Sequence, residues 1–164
     1  MTTSTLRFLT LACAAALLPQ ASIFAQDAAA RPTYSLRTDG GISGGYPLKK
    51  RYADFTQAEK AALRALYEGM PDTDEPPFPA AGMRSIIDDV AEISGFYKAY
   101  GFVSFFVTVD TQGNATQVRI MNAPTNMDAA KAISHVLVNA KYKPAICGGR
   151  PCAMEFPARF NLTI

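Results

Sequence analysis

The feature that most constrains this chain lies near its C-terminus, where Met154, Phe156, Ala158, Phe160 and Leu162 recur at every second position. Side chains alternate across a strand, so the spacing sets one apolar face against Glu155, Arg159 and Asn161 and predicts a strand over residues 152–162. A strand of this kind needs a sheet to join. Residues 101–109 supply one: after Gly101 come Phe102, Val103, Phe105, Phe106, Val107 and Val109, β-branched or aromatic almost throughout, ended by the turn-forming run Asp110-Thr111-Gln112-Gly113-Asn114. Residues 115–121 then alternate again, Val118 and Ile120 against Gln117 and Arg119, which makes a β-hairpin with one wet face.

Between the hairpin and the final strand the period changes to that of a helix. Thr125 and Asp128 have capping-box spacing, and Ala129, Ile133, Val136, Leu137 and Ala140 form one stripe, opposite Lys131, His135 and Asn139. A helix over residues 126–140 is predicted, ended by Lys141-Tyr142-Lys143-Pro144-Ala145, because proline disfavours helical geometry in the residue before it. A helix returning the chain places the last strand parallel to the second and antiparallel to the first. With strands numbered in chain order, the sheet order is 2-1-3. The first strand, apolar on both faces, suits the middle position. Pro157 suits an edge, since proline cannot donate to a ladder.

Upstream, Thr56-Gln57-Ala58-Glu59 is a second capping box, opening a helix through Ala62, Leu63, Leu66 and Tyr67 that Gly69 can end. Pro76-Pro77-Phe78-Pro79 is extended. Ser85 and Asp88 cap a further helix carrying Ile86, Ile87, Val90 and Ile93, with its end near Ser94-Gly95, and Phe96, Tyr97 and Tyr100 are expected to pack beside it. The fold class is therefore α+β: a small three-stranded antiparallel or mixed sheet in a ββαβ unit, preceded by two short helices. The domain spans residues 55–164, with a helical lead-in at 55–95 and the sheet unit at 101–164.

Residues 1–25 read as a secretory signal: Arg7 is their one charge, residues 8–18 are apolar, Pro19 breaks the run, and a small residue, Ala25, precedes the expected cut. The rival reading is an uncleaved inner-membrane anchor, opposed by Pro19, Gln20 and Ser22; a lipoprotein cut before Cys13 fits the flanking residues poorly. Residues 26–54 are rich in glycine and polar groups and read as a flexible linker, with Lys49-Lys50-Arg51 a solvated basic cluster. Export leaves Cys147 and Cys152, an even count in an oxidising compartment, which favours a structural disulfide over redox chemistry; a redox pair would need two-residue spacing.

A formal charge of +2, or +1 without Arg7, gives no electrostatic case for nucleic acid. The single histidine, His135, is expected on the solvated helix face with no serine or free cysteine to activate, and Asp88 and Asp89 diverge as helix neighbours. Catalytic residues, a metal-ligand cluster, a cofactor site and a small-molecule substrate are accordingly not expected, and the chain reads as a non-enzyme.

The ordered motifs carry a resemblance to the C-terminal periplasmic domain of the TonB family of energy transducers. Gly101-Phe102-Val103 running into Val107-Thr108-Val109-Asp110 and Gly113 resembles the family's first hairpin, Val118-Arg119-Ile120 its second strand, and Asp128-Ala129-Ala130 its helix start. Lys141-Tyr142-Lys143-Pro144-Ala145 resembles the family's helix-ending signature, Phe156 to Phe160 its last strand, and Phe78-Pro79 its aromatic-proline entry. Residues 83–100 form a longer approach to the first strand than family members usually have.

The resemblance implies a periplasmic binding module in TonB-linked transport that captures an extended peptide of an outer-membrane receptor, or of another envelope protein, by strand addition along residues 153–161. Ala153, Glu155, Pro157, Arg159 and Asn161 would be the partner-binding positions, and a strand-exchanged homodimer is a further expectation. A transducer also needs a long proline-rich spacer. Residues 26–54 are not proline-rich and extend to at most about 100 Å, so the alternative is a free periplasmic structural or accessory subunit.

Overall fold

A computed structural model describes residues 34–36 and 49–163. The expected signal segment at 1–25 and most of the expected linker at 26–54 lie outside them. In chain order the described elements are a 3-10 helix at Tyr52–Asp54, α1 (Gln57–Arg64), β1 (Phe78–Pro79), α2 (Arg84–Tyr97), β2 (Gly101–Val109), β3 (Ala115–Asn122), α3 (Met127–Asn139), β4 (Tyr142–Lys143), β5 (Ala145–Cys147), β6 (Arg150–Cys152) and β7 (Met154–Leu162). The class is α+β, with three α-helices among the described residues.

The main sheet has the order β3-β2-β7 and both pairings are antiparallel. From Gly101↔Leu162 to Val109↔Met154, β2 and β7 pair without a break, whereas the β2–β3 register shifts twice, beside Ser104 and beside Thr108. Alternation puts Val103, Phe105, Val107 and Val109 on one face, each with no exposed surface, together with Phe156, Ala158, Phe160 and Leu162. Ala129, Ile133 and Leu137 of α3 and Ile86 and Val90 of α2 close over that face. Phe78 meets Phe156 edge to face at 6.0 Å, so β1, paired to β4, joins the same core. The other face buries Phe106 and is covered at one end by Tyr67, Leu36, Ala145 and Met154.

Several boundaries differ from the sequence expectations, each for a local reason. The Thr56 capping box is present in both directions, Glu59 N–H to Thr56 Oγ1 at 3.2 Å and Thr56 N–H to Glu59 Oε2 at 2.7 Å, but α1 stops at Arg64, short of Leu66 and Tyr67. Helix α2 starts behind Met83 with no side-chain cap and runs through Gly95 to Tyr97. Its end is set by Lys98 at φ 51° and by Ser94 and Ala99, both buried and doubly bonded: Ala99 N–H to the Ser94 carbonyl at 3.0 Å, and the Ser94 hydroxyl back to the Ala99 carbonyl at 2.7 Å. Because the helix continues past Gly95, Tyr97 follows Val90 and Ser94 onto the packed face while Phe96 points away. Phe96 is 77% exposed and Tyr100 53%, so the expected packing holds for Tyr97 alone.

Asn126, not Thr125, caps α3: its Oδ1 accepts the N–H groups of Asp128 at 2.9 Å and Ala129 at 3.4 Å, and its Nδ2 donates to the Tyr97 carbonyl at 3.2 Å. The strand expected over residues 152–162 is split. Residues 150–152 pair with β5 as a separate hairpin, joined to it by Gly148 and Gly149 at φ 55° and 79°, the left-handed pair that a tight two-residue turn requires. The Cys147–Cys152 disulfide is formed and staples this hairpin. A loop so short contributes about 2 kcal/mol by loop-closure entropy.

Within the expected linker, residues 34–36 and 52–54 are ordered against the domain. Leu36 bridges to Tyr67, and Tyr52 is 4% exposed beneath Lys60 and Lys143, whose ammonium groups lie 5.1 and 4.5 Å from its ring centre. Among the described residues no helix is long and apolar enough to cross a membrane.

The β2–β3 turn is locked to the helix exit. The Asp110 carboxylate accepts the N–H groups of Gln112 and Asn114 at 2.9 and 2.8 Å, while the Gly113 carbonyl accepts the Tyr142 N–H at 3.0 Å. At Gly113 the backbone has φ +82°, and an added Cβ would lie 2.1 Å from the Tyr142 carbonyl oxygen. Gly101, at φ +104°, has open space instead. Gly101→Ala is expected to cost the roughly 1–3 kcal/mol of backbone strain alone, and Gly113→Ala clearly more, since Tyr142 must move as well. Chemical denaturation of the two variants checks this, and equal losses would remove the Tyr142 contact from the account.

Candidate functional site

The outer edge of β7 is the feature with chemistry to offer, and its geometry can be read from one bond. The Tyr67 hydroxyl donates to the Glu155 carbonyl at 2.8 Å, which assigns that carbonyl to the side of β7 away from β2. In an antiparallel ladder both backbone groups of a residue point the same way and alternate along the strand. The outward positions are therefore Glu155, Pro157, Arg159 and Asn161, and Phe156, Ala158, Phe160 and Leu162 bond inward to β2. Pro157 thus stands where its missing N–H costs no ladder bond. Pro151 obeys the same rule, because its partner Ile146 directs both backbone groups away from β6 to Glu75, at 2.8 and 2.9 Å.

The five sequence-expected positions are not equivalent. Ala153 lies between β6 and β7, outside both, and is buried. Glu155 is half-buried and turned across the sheet, ion-paired with Arg119 of β3, whose guanidinium lies 5.5 Å from the Phe106 ring centre. Its carboxylate thus ties the two outer strands together over the middle one. Pro157 is buried opposite Phe106, Arg159 is half-buried and Asn161 is exposed. The cysteine pair sits at the end of β7 nearest Ala153 and is not part of the edge.

Sequence reasoning missed the group that covers this end of the edge. Ser35 accepts the Glu68 N–H on its carbonyl at 2.9 Å, Leu36 bridges to Tyr67, and the Tyr34 hydroxyl donates to Asp74 Oδ2 at 2.6 Å. Asp74, only 3% exposed, also accepts the Gly148 N–H at 3.0 Å and the Thr73 hydroxyl at 3.3 Å. The one hint in the sequence is that Tyr34 and Leu36 are two apart, on one face of an extended segment.

Two further clusters bring polar and titratable side chains together. Ser85, Asp89, His135 and Asn139 line a groove of about 410 Å³ between α2 and α3, closer together than the sequence suggested. Among the described residues no hydrogen bond or ion pair joins Ser85, Asp89 and His135, so no proton relay is formed. Beneath α1, burial pushes the Tyr52 hydroxyl up to about 12, and it also lowers the Lys143 ammonium, which Glu75 at 3.0 Å partly restores. A phenol shifted upward is a poorer acid at neutral pH. Among the described residues no group of three or more His, Cys, Asp or Glu is placed to hold a metal.

The Tyr34 hydroxyl, followed by the Gly148 amide, holds the Asp74 carboxyl below its ordinary range, and burial opposes them. A carboxyl depressed on folding stabilises fully above its unfolded value, near 3.9, and loses that contribution as pH falls through the folded value. The stability gap between the native chain and Asp74→Asn should stay level from about pH 8 to pH 5 and close below about pH 4. Parallel denaturant titrations across that range check it, and a gap that widened in acid would contradict the assignment.

Compared with protein-family models and with curated proteins, the chain matches none.

Proposed function

We propose that this chain is a binding module of the cell envelope that accepts a short extended peptide along the outer edge of β7. The observation that carries the reading is that, among the described residues, β7 is the terminal strand of the sheet, with the backbone of Asn161 and the carbonyl of Pro157 directed outward by the strand's alternation. An added strand would gain main-chain hydrogen bonds there, and Arg159 and Asn161 would bias which side chains are accepted. The sheet order β3-β2-β7 is the order that a TonB C-terminal-like unit would have, and that resemblance supplies the proposed partner, an extended segment of an outer-membrane receptor or another envelope protein. A periplasmic location after cleavage near Ala25 belongs to the same proposal.

The competing reading is a periplasmic accessory subunit whose edge is closed to partners. Two observations favour it: Tyr67 occupies the Glu155 carbonyl, and Pro157 removes one donor. The two readings predict different behaviour from the same protein.

Titrating the exported protein with receptor-derived extended peptides, with backbone amides followed by NMR, distinguishes them. Strand addition should shift the Arg159 and Asn161 amides, and Asn161→Pro, which removes an outward donor without touching the β2 ladder, should weaken binding about tenfold, the worth of one hydrogen bond. Amides unmoved at saturating peptide would leave the accessory reading standing. Shifts that depend on protein concentration alone would point to a second copy on the same edge.

A further inference from the structure

Three contacts that are remote in sequence converge on the start of the β7 edge. The Tyr67 hydroxyl holds the Glu155 carbonyl at 2.8 Å, across 88 positions of chain. Residues 34–36 hold the loop that carries Tyr67, through Glu68 N–H to Ser35 at 2.9 Å and the Leu36↔Tyr67 bridge. Residues 34–36 are themselves held by the Tyr34 hydroxyl on Asp74, a buried carboxylate that the Gly148 amide fixes from the disulfide hairpin.

We propose that residues 34–36 and Tyr67 form a single latch over the N-terminal end of the β7 edge, closed by the Tyr34–Asp74 bond and opening as a unit when that bond is broken. Closed, the latch withholds the Glu155 carbonyl and confines an added strand to residues 157–161. Open, it extends the receptive edge by one outward residue. Neither arm stands without the other. Tyr67 follows the end of α1, two residues beyond its C-cap, and its loop gains order from Ser35 and Leu36, while residues 34–36 are held in turn by the packing of Leu36 beside Tyr67 and by the Tyr34–Asp74 bond. The coupling itself does not depend on peptide binding. Its consequence for a partner rests on the edge-addition reading above.

The test uses the full exported chain and three variants. Tyr34→Phe keeps the ring and removes the hydroxyl that reaches Asp74; it should speed exchange of the Glu68 amide at least tenfold and move the Glu155 carbonyl carbon signal toward its solvent-exposed value. Tyr67→Phe should move the Glu155 carbonyl in the same way and leave the Glu68 amide protected, because it removes only the far end of the latch. Glu68→Ala, whose side chain takes no part, should change neither. If Tyr34→Phe frees the Glu68 amide while the Glu155 carbonyl stays put, the two arms move independently and the latch is overturned; so too if neither signal changes in a variant that remains folded. Adding an extended peptide separates the two proposals. A rise in affinity of threefold or more for Tyr34→Phe and Tyr67→Phe supports both. Release of the Glu155 carbonyl with no peptide bound by any variant supports the latch and ends the strand-addition reading.

Discussion

The unbroken ladder between β2 and β7 is the constraint on which the rest of the molecule depends. Nine consecutive pairs, Gly101↔Leu162 through Val109↔Met154, fix the register of two strands that each put four or more apolar side chains on one face. A slip of one residue would turn Phe156, Ala158 and Phe160 outward and bring Glu155 and Arg159 into contact with Leu137 and Ile133, so burial and register enforce each other. The helices adapt to this ladder. Helix α3 buries small residues, Ala129 and Ala130, in its first turn and longer ones, Ile133 and Leu137, further along. Phe78 and Tyr142 both pack against Phe156 within the same core, the first edge to face and the second tilted.

The second face is organised differently: among the described residues a small apolar cluster and polar anchors cover it, and no helix does. Arg119 lies over Phe106 and reaches Glu155, so the charge is screened from water on one side and paired on the other. At the far end a buried carboxylate gathers a tyrosine hydroxyl, a backbone amide and a threonine hydroxyl. Such networks need every member satisfied, and Asp74 is satisfied by groups from three separate parts of the chain. It therefore acts as a checkpoint: only when the disulfide hairpin, the 72–75 turn and residues 34–36 are all in place is its burial compensated.

What was legible in the sequence follows from what a local pattern can encode. Period-two burial wrote the final strand and the middle strand plainly, and a helix returning between them fixed the sheet order by connectivity. The capping box at Thr56 was readable because both of its bonds lie within four residues. Choosing between Thr125 and Asn126 was not, because either can cap, and the contact that decides, Asn126 to Tyr97, lies 29 positions away. Gly95 suggested a helix end, yet glycine only permits a turn. The turn that forms, at Lys98, is fixed by Ser94 and Ala99 burying against the sheet. At the candidate site, the edge and the role of Pro157 were legible from strand order, while Glu155 was expected to face a partner and instead faces Arg119. Residues 34–36 left almost no trace, because a three-residue contact has no period to detect.

The two outer strands of the sheet are unlike each other. Strand β3 is interrupted by two register shifts and carries Thr116, Gln117 and Arg119 toward solvent, features that discourage further pairing, whereas β7 runs straight. A sheet with one permissive border can be extended once. Among the described residues β7 is the straight border of the main sheet, so two copies that met through it would each bury that border in the other, and growth along this sheet would stop at a closed pair and not run on into a fibril.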